Sequence, residues 1–182
     1  MLVAAAVLAG AACSSESGDS SDEGAAGETT TTAEATTTTL GVTTVEVTAA
    51  DYGFSGVPEA IAAGSTVSLT TAEGGEPHEL LAVRLADDET RTADELAALP
   101  EAEFNGLFSA DSVAALVIAL PGTTDDPGVE VGDGTLTEPG RYLFVCTFPQ
   151  GTTVAEVEAA TGPLPGDDKH YTLGMFAETT VE

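Results

Sequence analysis

LTEPGRYLFVC, residues 136–146, couples a turn to an alternating run. Pro139 and Gly140 punctuate the chain, and the residues after them alternate with a period of two. In a strand this puts Tyr142, Phe144 and Cys146 on one face and Leu143 and Val145 on the other. The thiol of Cys146 therefore points into the same interior as the two aromatic rings. Similar runs flank this one. TTVEVTAADYGF places Val45 and Val47 on one face, STVSLTT repeats the pattern through Val67 and Leu69, HELLAVRL is an apolar run, and MFAETTVE predicts a final strand. GVPEAIAAG and AEGGEP separate them as turns. Short strands divided by Gly/Pro turns define an all-β sandwich or barrel.

Two segments depart from that pattern. DDETRTADELAALP (87–100) predicts a helix capped by Thr92 or its neighbouring acids and ended by Pro100. TTVAEVEAATG (152–162) predicts a second short helix closed by Gly162. Both are expected as insertions on a β framework. SVAALVIAL, within 101–135, suits either a buried strand or a helix. No internal repeat is present. About 140 residues are enough for one core.

The chain begins differently. MLVAAAVLAGAA (1–12) is apolar or small, too short to span a bilayer, and suits the core of an export signal. No Lys or Arg precedes it, so a start further upstream is expected. LAGAAC followed by SSESGDSS resembles a bacterial lipoprotein signal, which implies lipidation of Cys13 after cleavage; Gly10 stands where that pattern usually has leucine. An ordinary signal peptide cut near Ala12 is the alternative. Residues 13–42, including TTTTAEATTTT, contain almost no large apolar residue and are expected to be a disordered tether with a mean reach of about 30 Å. The folded domain is expected over 43–182. The protein is then exported and held on the outer side of the cytoplasmic membrane, touching it through the lipid alone.

The formal charge is −27, from 31 acids against four bases. Phosphates would be repelled, which excludes nucleic acid and anionic membrane surfaces as partners. A basic protein partner is favoured, and the tether accounts for only six of the acids. A lipidated Cys13 leaves Cys146 as the single thiol, which cannot form an internal disulfide. An exported free thiol is exposed to oxidation unless it is buried or bound to metal.

The metal-competent side chains of the domain are His78, Cys146, His170 and Met175, and no other His, Cys or internal Met exists. Singly, each has a plain explanation: a turn histidine, a small buried hydrophobe, a surface loop residue, core filler. Jointly they supply two imidazoles, a thiolate and a thioether. That donor set matches a mononuclear copper site with two His and one Cys in a plane and a long axial Met bond. Zinc rarely takes a thioether, and iron–sulfur clusters need several thiolates.

On EPHEL, LTEPGRYLFVC and HYTLGM the chain resembles the cupredoxin family of blue copper proteins, of the plastocyanin and pseudoazurin type. The resemblance covers most of 43–182. It implies a Greek-key β-sandwich or barrel with short helical insertions, one type 1 copper held by His78, Cys146, His170 and Met175, and one-electron transfer to a redox protein partner. A monomer is expected, and no enzyme, since four protein donors leave no position for a substrate. His170 lies in a loop with apolar Leu173, and its ring edge is expected to approach solvent as the electron port.

Three features depart from that family. Cys146 and His170 are separated by 23 residues where plastocyanin-like loops have few, so the intervening chain must fold out, as a helical excursion, and return. Glu79 follows the first histidine where such sites often have an asparagine that pins the cysteine loop, so the surroundings of the metal must differ. The 67 residues between His78 and Cys146 exceed the usual span. Copper storage or delivery through an opening Cys–His loop, and a copper-free interaction domain, are the alternative functions. The carboxylates are scattered, and no Ser/His/Asp order or phosphate-binding glycine loop supports catalysis.

Overall fold

The computed structural model describes residues 40–182. The expected signal peptide, the lipidated Cys13 and the linker up to residue 39 lie outside the described residues. Residues 40–42 have no regular structure, and Leu40 and Val42 are exposed. Ten strands follow: Thr44–Ala50 (β1), Gly53–Ser55 (β2), Ala60–Ile61 (β3), Ser65–Thr71 (β4), His78–Arg84 (β5), Val113–Ala119 (β6), Pro127–Val131 (β7), Thr135–Leu136 (β8), Gly140–Val145 (β9) and Phe176–Val181 (β10).

They form two sheets, ordered β2-β1-β4-β8 and β3-β10-β9-β5-β6-β7. The pairs β1–β4 and β3–β10 are parallel and the other pairs antiparallel. The strand order is that of a Greek-key sandwich: β9 leaves its sequence neighbour β8 and inserts between β10 and β5. The alternation read from sequence fixes which faces meet. Val45, Val47 and Ala49 of β1 and Val67 and Leu69 of β4 turn inward against Leu80, Ala82, Val117, Tyr142 and Phe144. Each Val or Leu among them contributes about 1.5–3 kcal/mol on burial. SVAALVIAL resolves as a strand, β6, because Ala115, Val117 and Ala119 alternate into this core.

β9 is covered on both faces, as its alternation requires. Tyr142, Phe144 and Cys146 belong to the sandwich core. Leu143 and Val145 belong to a second cluster outside the larger sheet, with Val83, Leu85, Leu96, Phe104 and Tyr171. The insertion between β5 and β6 supplies that cover through two short helices, Ala93–Ala97 (α1) and Glu101–Asn105 (α2). The helix expected over 87–100 is therefore much shorter. Thr92 caps it in a reciprocal box with Glu95, as expected. Upstream, the Glu89 carboxylate clasps the amide and guanidinium of Arg91, and the Arg141 guanidinium donates to the carbonyls of Glu89 and Arg91. These bonds hold 87–91 as a turn. α1 ends at Ala97 with Ala98 as its C-cap, and Pro100 heads α2. The second expected helix is also shorter, Val154–Ala159 (α3), with Thr153 and Glu156 forming its capping box.

Candidate metal centre

The four sequence-derived donors sit at element ends. His78 opens β5 behind Pro77, Cys146 follows the last residue of β9, His170 heads a single 3-10 turn (His170–Leu173), and Met175 precedes β10. Backbone bonds knit the last three together. Tyr171 N donates to Cys146 O (3.0 Å), Cys146 N to Met175 O (3.2 Å), and Met175 N to His170 O (3.1 Å). Gly174, at φ 113°, makes the reversal that sends the chain from the 3-10 turn into β10.

The long Cys146–His170 connection does not loosen this arrangement. His170 N donates to Phe148 O (2.8 Å), Gln150 N to Asp168 O (3.0 Å), and Pro149 and Lys169 pair as an isolated bridge. The connection is therefore pinched shut at its base. Near the site the two ends of the connection are held together as in a short loop, and the residues between them, which carry α3, return Val157 and Leu164 to the core cluster.

His78, Cys146 and His170 converge, their ligand atoms all lying within 4.8 Å of one another. His78 Nδ1 stands 3.2 Å from His170 Nδ1, which is 3.3 Å from Cys146 Sγ. His170 and Cys146 are fully buried and His78 is 3 % exposed. Met175 is fully buried in the same core cluster as Cys146.

The surroundings decide the protonation of the trio. His170 Nε2 lies 3.0 Å from Glu76 Oε2 and donates to it, leaving Nδ1 with a lone pair that faces the other two donors. Without metal, the Cys146 thiol and a proton on His78 Nδ1 are the groups able to donate to that lone pair. Burial pushes the Cys146 thiol well above its usual value, and the nearby Glu79 adds to the rise. Burial lowers His78 to about 4, helped by the neighbouring His170. Burial likewise lowers His170, although Glu76 opposes it. The metal-free centre is thus a neutral cluster of one thiol and two imidazoles.

Glu79 takes over the pinning that the cupredoxin resemblance assigns to an asparagine. Its backbone N–H points at Cys146 Sγ (3.5 Å), and its Oε1 accepts from Thr147 N (2.9 Å) and Thr147 Oγ1 (2.5 Å). Burial raises its carboxyl above the ordinary range, and the Thr147 bonds only partly offset this.

One expectation fails. The His170 ring edge does not approach solvent. It is capped by Glu76, and the Tyr52 ring meets it edge-on at 4.9 Å. Exposed Leu173 is only its neighbour in sequence. Sequence reasoning passed over Glu76 and Tyr52. The signal for Tyr52 was weak: the two-residue turn Asp51–Tyr52 between β1 and β2 needs positive φ at both positions, a need glycine or asparagine usually meets. For Glu76, one acid among 31, the residue type gave none.

The donor set passes a chemical test for copper. Two unprotonated imidazole nitrogens cannot face each other at 3.2 Å without a proton or a cation between them. Metal bonds of about 2.0–2.3 Å bring donors to separations of this order. A buried site with one thiol able to ionise on loading, two imidazoles and, in the same core cluster, a methionine fits a type 1 copper ion. Fold and trio together are what the cupredoxin resemblance of the sequence implies.

No family model and no curated sequence matches the chain. Among solved structures it is similar to reduced auracyanin from the photosynthetic bacterium Roseiflexus castenholzii (20% identity, 79% of this chain and 99% of that one, TM-score 0.44). It is also similar to auracyanin A, a "blue" copper protein from the green thermophilic photosynthetic bacterium Chloroflexus aurantiacus (23%, 78% and 100%, TM-score 0.41). A third is an azurin from the obligate methylotroph Methylomonas sp. strain J (19%, 76% and 97%, TM-score 0.37).

Proposed function

We propose that this chain is a one-electron carrier in which His78, Cys146, His170 and Met175 would hold a single copper. When bound, copper supplies a Cu(I)/Cu(II) couple. The observation that carries the reading is the buried His78–Cys146–His170 convergence. The two imidazoles offer Nδ1 lone pairs, and Cys146 must surrender its thiol proton on loading. The Glu79 N–H then faces a thiolate. Burial keeps water out, and the neck at Phe148–His170 and Pro149–Lys169 holds the donors in place, so little would reorganise on electron gain or loss. Four protein donors leave no open position, which suits a carrier and not an enzyme.

The domain would act outside the cytoplasm as a monomer, tethered to the membrane through lipidated Cys13 and meeting a basic redox protein. No helix among the described residues is long and apolar enough to cross a membrane. The pinched neck favours carriage over delivery, since a delivering site needs its Cys–His loop to open. The copper-loaded domain should pass through repeated oxidation and reduction and keep its metal against excess Cu(I) chelator. Prompt loss of copper to the chelator on reduction would instead support storage or delivery.

A further inference from the structure

The polar cap on His170 is built from three separate segments. Glu76, in the turn before β5, places Oε2 3.0 Å from His170 Nε2. The same oxygen accepts from Gly151 N (2.7 Å), just beyond the neck of the excursion. Glu76 Oε1 accepts from Tyr52 Oη (2.9 Å), and Gln150 Nε2 donates to that hydroxyl (3.2 Å). The carboxylate thus receives three donors and cannot rotate away without breaking all of them. Tyr52 reaches it from a turn residue at φ 60°, a conformation uncommon for an aromatic residue, and its ring packs on His170.

We propose that Glu76 is a positioning residue for the metal centre: it fixes His170 as the Nε2–H tautomer, aims Nδ1 at the Cys146–His78 pair, and places a negative charge behind the ligand. A carboxylate behind a metal-bound imidazole increases its donor strength. That favours the more highly charged oxidised ion and lowers the reduction potential. The same cap removes His170 from solvent, so a partner meets the Glu76 carboxylate, whose side chain is 27 % exposed, before it meets the imidazole. The tautomer part needs no metal; the redox part rests on the copper reading.

The test has two arms. In the metal-free wild type, long-range 1H–15N correlation should show His170 protonated at Nε2 alone. Glu76→Gln, which keeps an acceptor, should preserve that tautomer, and Glu76→Leu should mix it. In the copper-loaded protein, Glu76→Gln should raise the reduction potential by roughly tenfold in the oxidation equilibrium, 59 mV for one electron. Exposed Glu73→Gln, the same charge change away from the imidazole, should move it far less. A wild-type His170 protonated at Nδ1, an unchanged tautomer in Glu76→Leu, or equal shifts for Glu76→Gln and Glu73→Gln would overturn the inference. Failure of the wild type to bind copper would remove the copper reading, and the tautomer arm would still decide the role of Glu76.

Discussion

At the scale of single residues the centre is a set of neutral, buried groups waiting for a cation. His78 shows the consequence for stability. Its folded pKa, about 4, lies below the ordinary 6.5 because of burial. Between those values the unfolded chain binds a proton that the folded, metal-free chain refuses, so stability falls as pH drops through the window. Loss of acidic repulsion acts in the opposite sense, so the informative quantity is a difference. Between pH 7 and pH 4.5 the denaturation midpoint of metal-free wild type should fall relative to that of His78→Asn. Parallel midpoints would mean that His78 is not held neutral. The four donors were legible in sequence because His, Cys and internal Met are so rare here that each occurrence carries information. Glu76 was not, since its role exists only through a contact with a histidine 94 positions away.

At the scale of elements, β1, β4, β5, β9 and β10 were legible from alternating or continuous apolar residues, and β9 announced both of its buried faces; β3 fell within a stretch read as a turn, and β7 and β8 carry too few apolar residues to announce themselves. Helix lengths were less legible because side-chain bonds at Glu89, Arg91 and Arg141 hold a turn where propensity favours helix. Both insertions serve the ligand segment. Phe104 of α2 stacks on Tyr171 at 4.0 Å, directly beside His170, so the first insertion braces the 3-10 turn from outside. The second insertion is closed off at its neck by long-range backbone bonds that no local pattern encodes. Its removal is therefore informative. Replacing 152–167 with a short Gly/Asn linker, which keeps Gly151, should leave the donor trio and copper binding intact, at a cost of about 1–3 kcal/mol in stability from losing the buried Val157 side chain. Loss of copper binding in a variant that still folds would show that the excursion itself builds the centre.

At the scale of the whole molecule, the sign of the surface charge was legible and its distribution was not. All four cationic side chains are engaged within the fold. Arg84 binds Asp87 and the Pro139 carbonyl, Arg91 binds Glu89, Arg141 binds Glu178, and Lys169 Nζ donates to the Leu164 carbonyl. The outward field is accordingly anionic, which suits steering of a cationic partner. The charged Glu76 cap over His170 belongs to the same field, so the acidic exterior and the buried centre meet at one carboxylate.

The most direct measurement is the visible spectrum of the Cu(II)-loaded domain, wild type beside Cys146→Ser. A thiolate, two imidazoles and one copper meeting at this point predict an intense blue or green colour from thiolate-to-copper charge transfer in the wild type, and none in the variant. A colourless wild type with bound Cu(II), or a band that survives without the Cys146 sulfur, would contradict the convergence on copper.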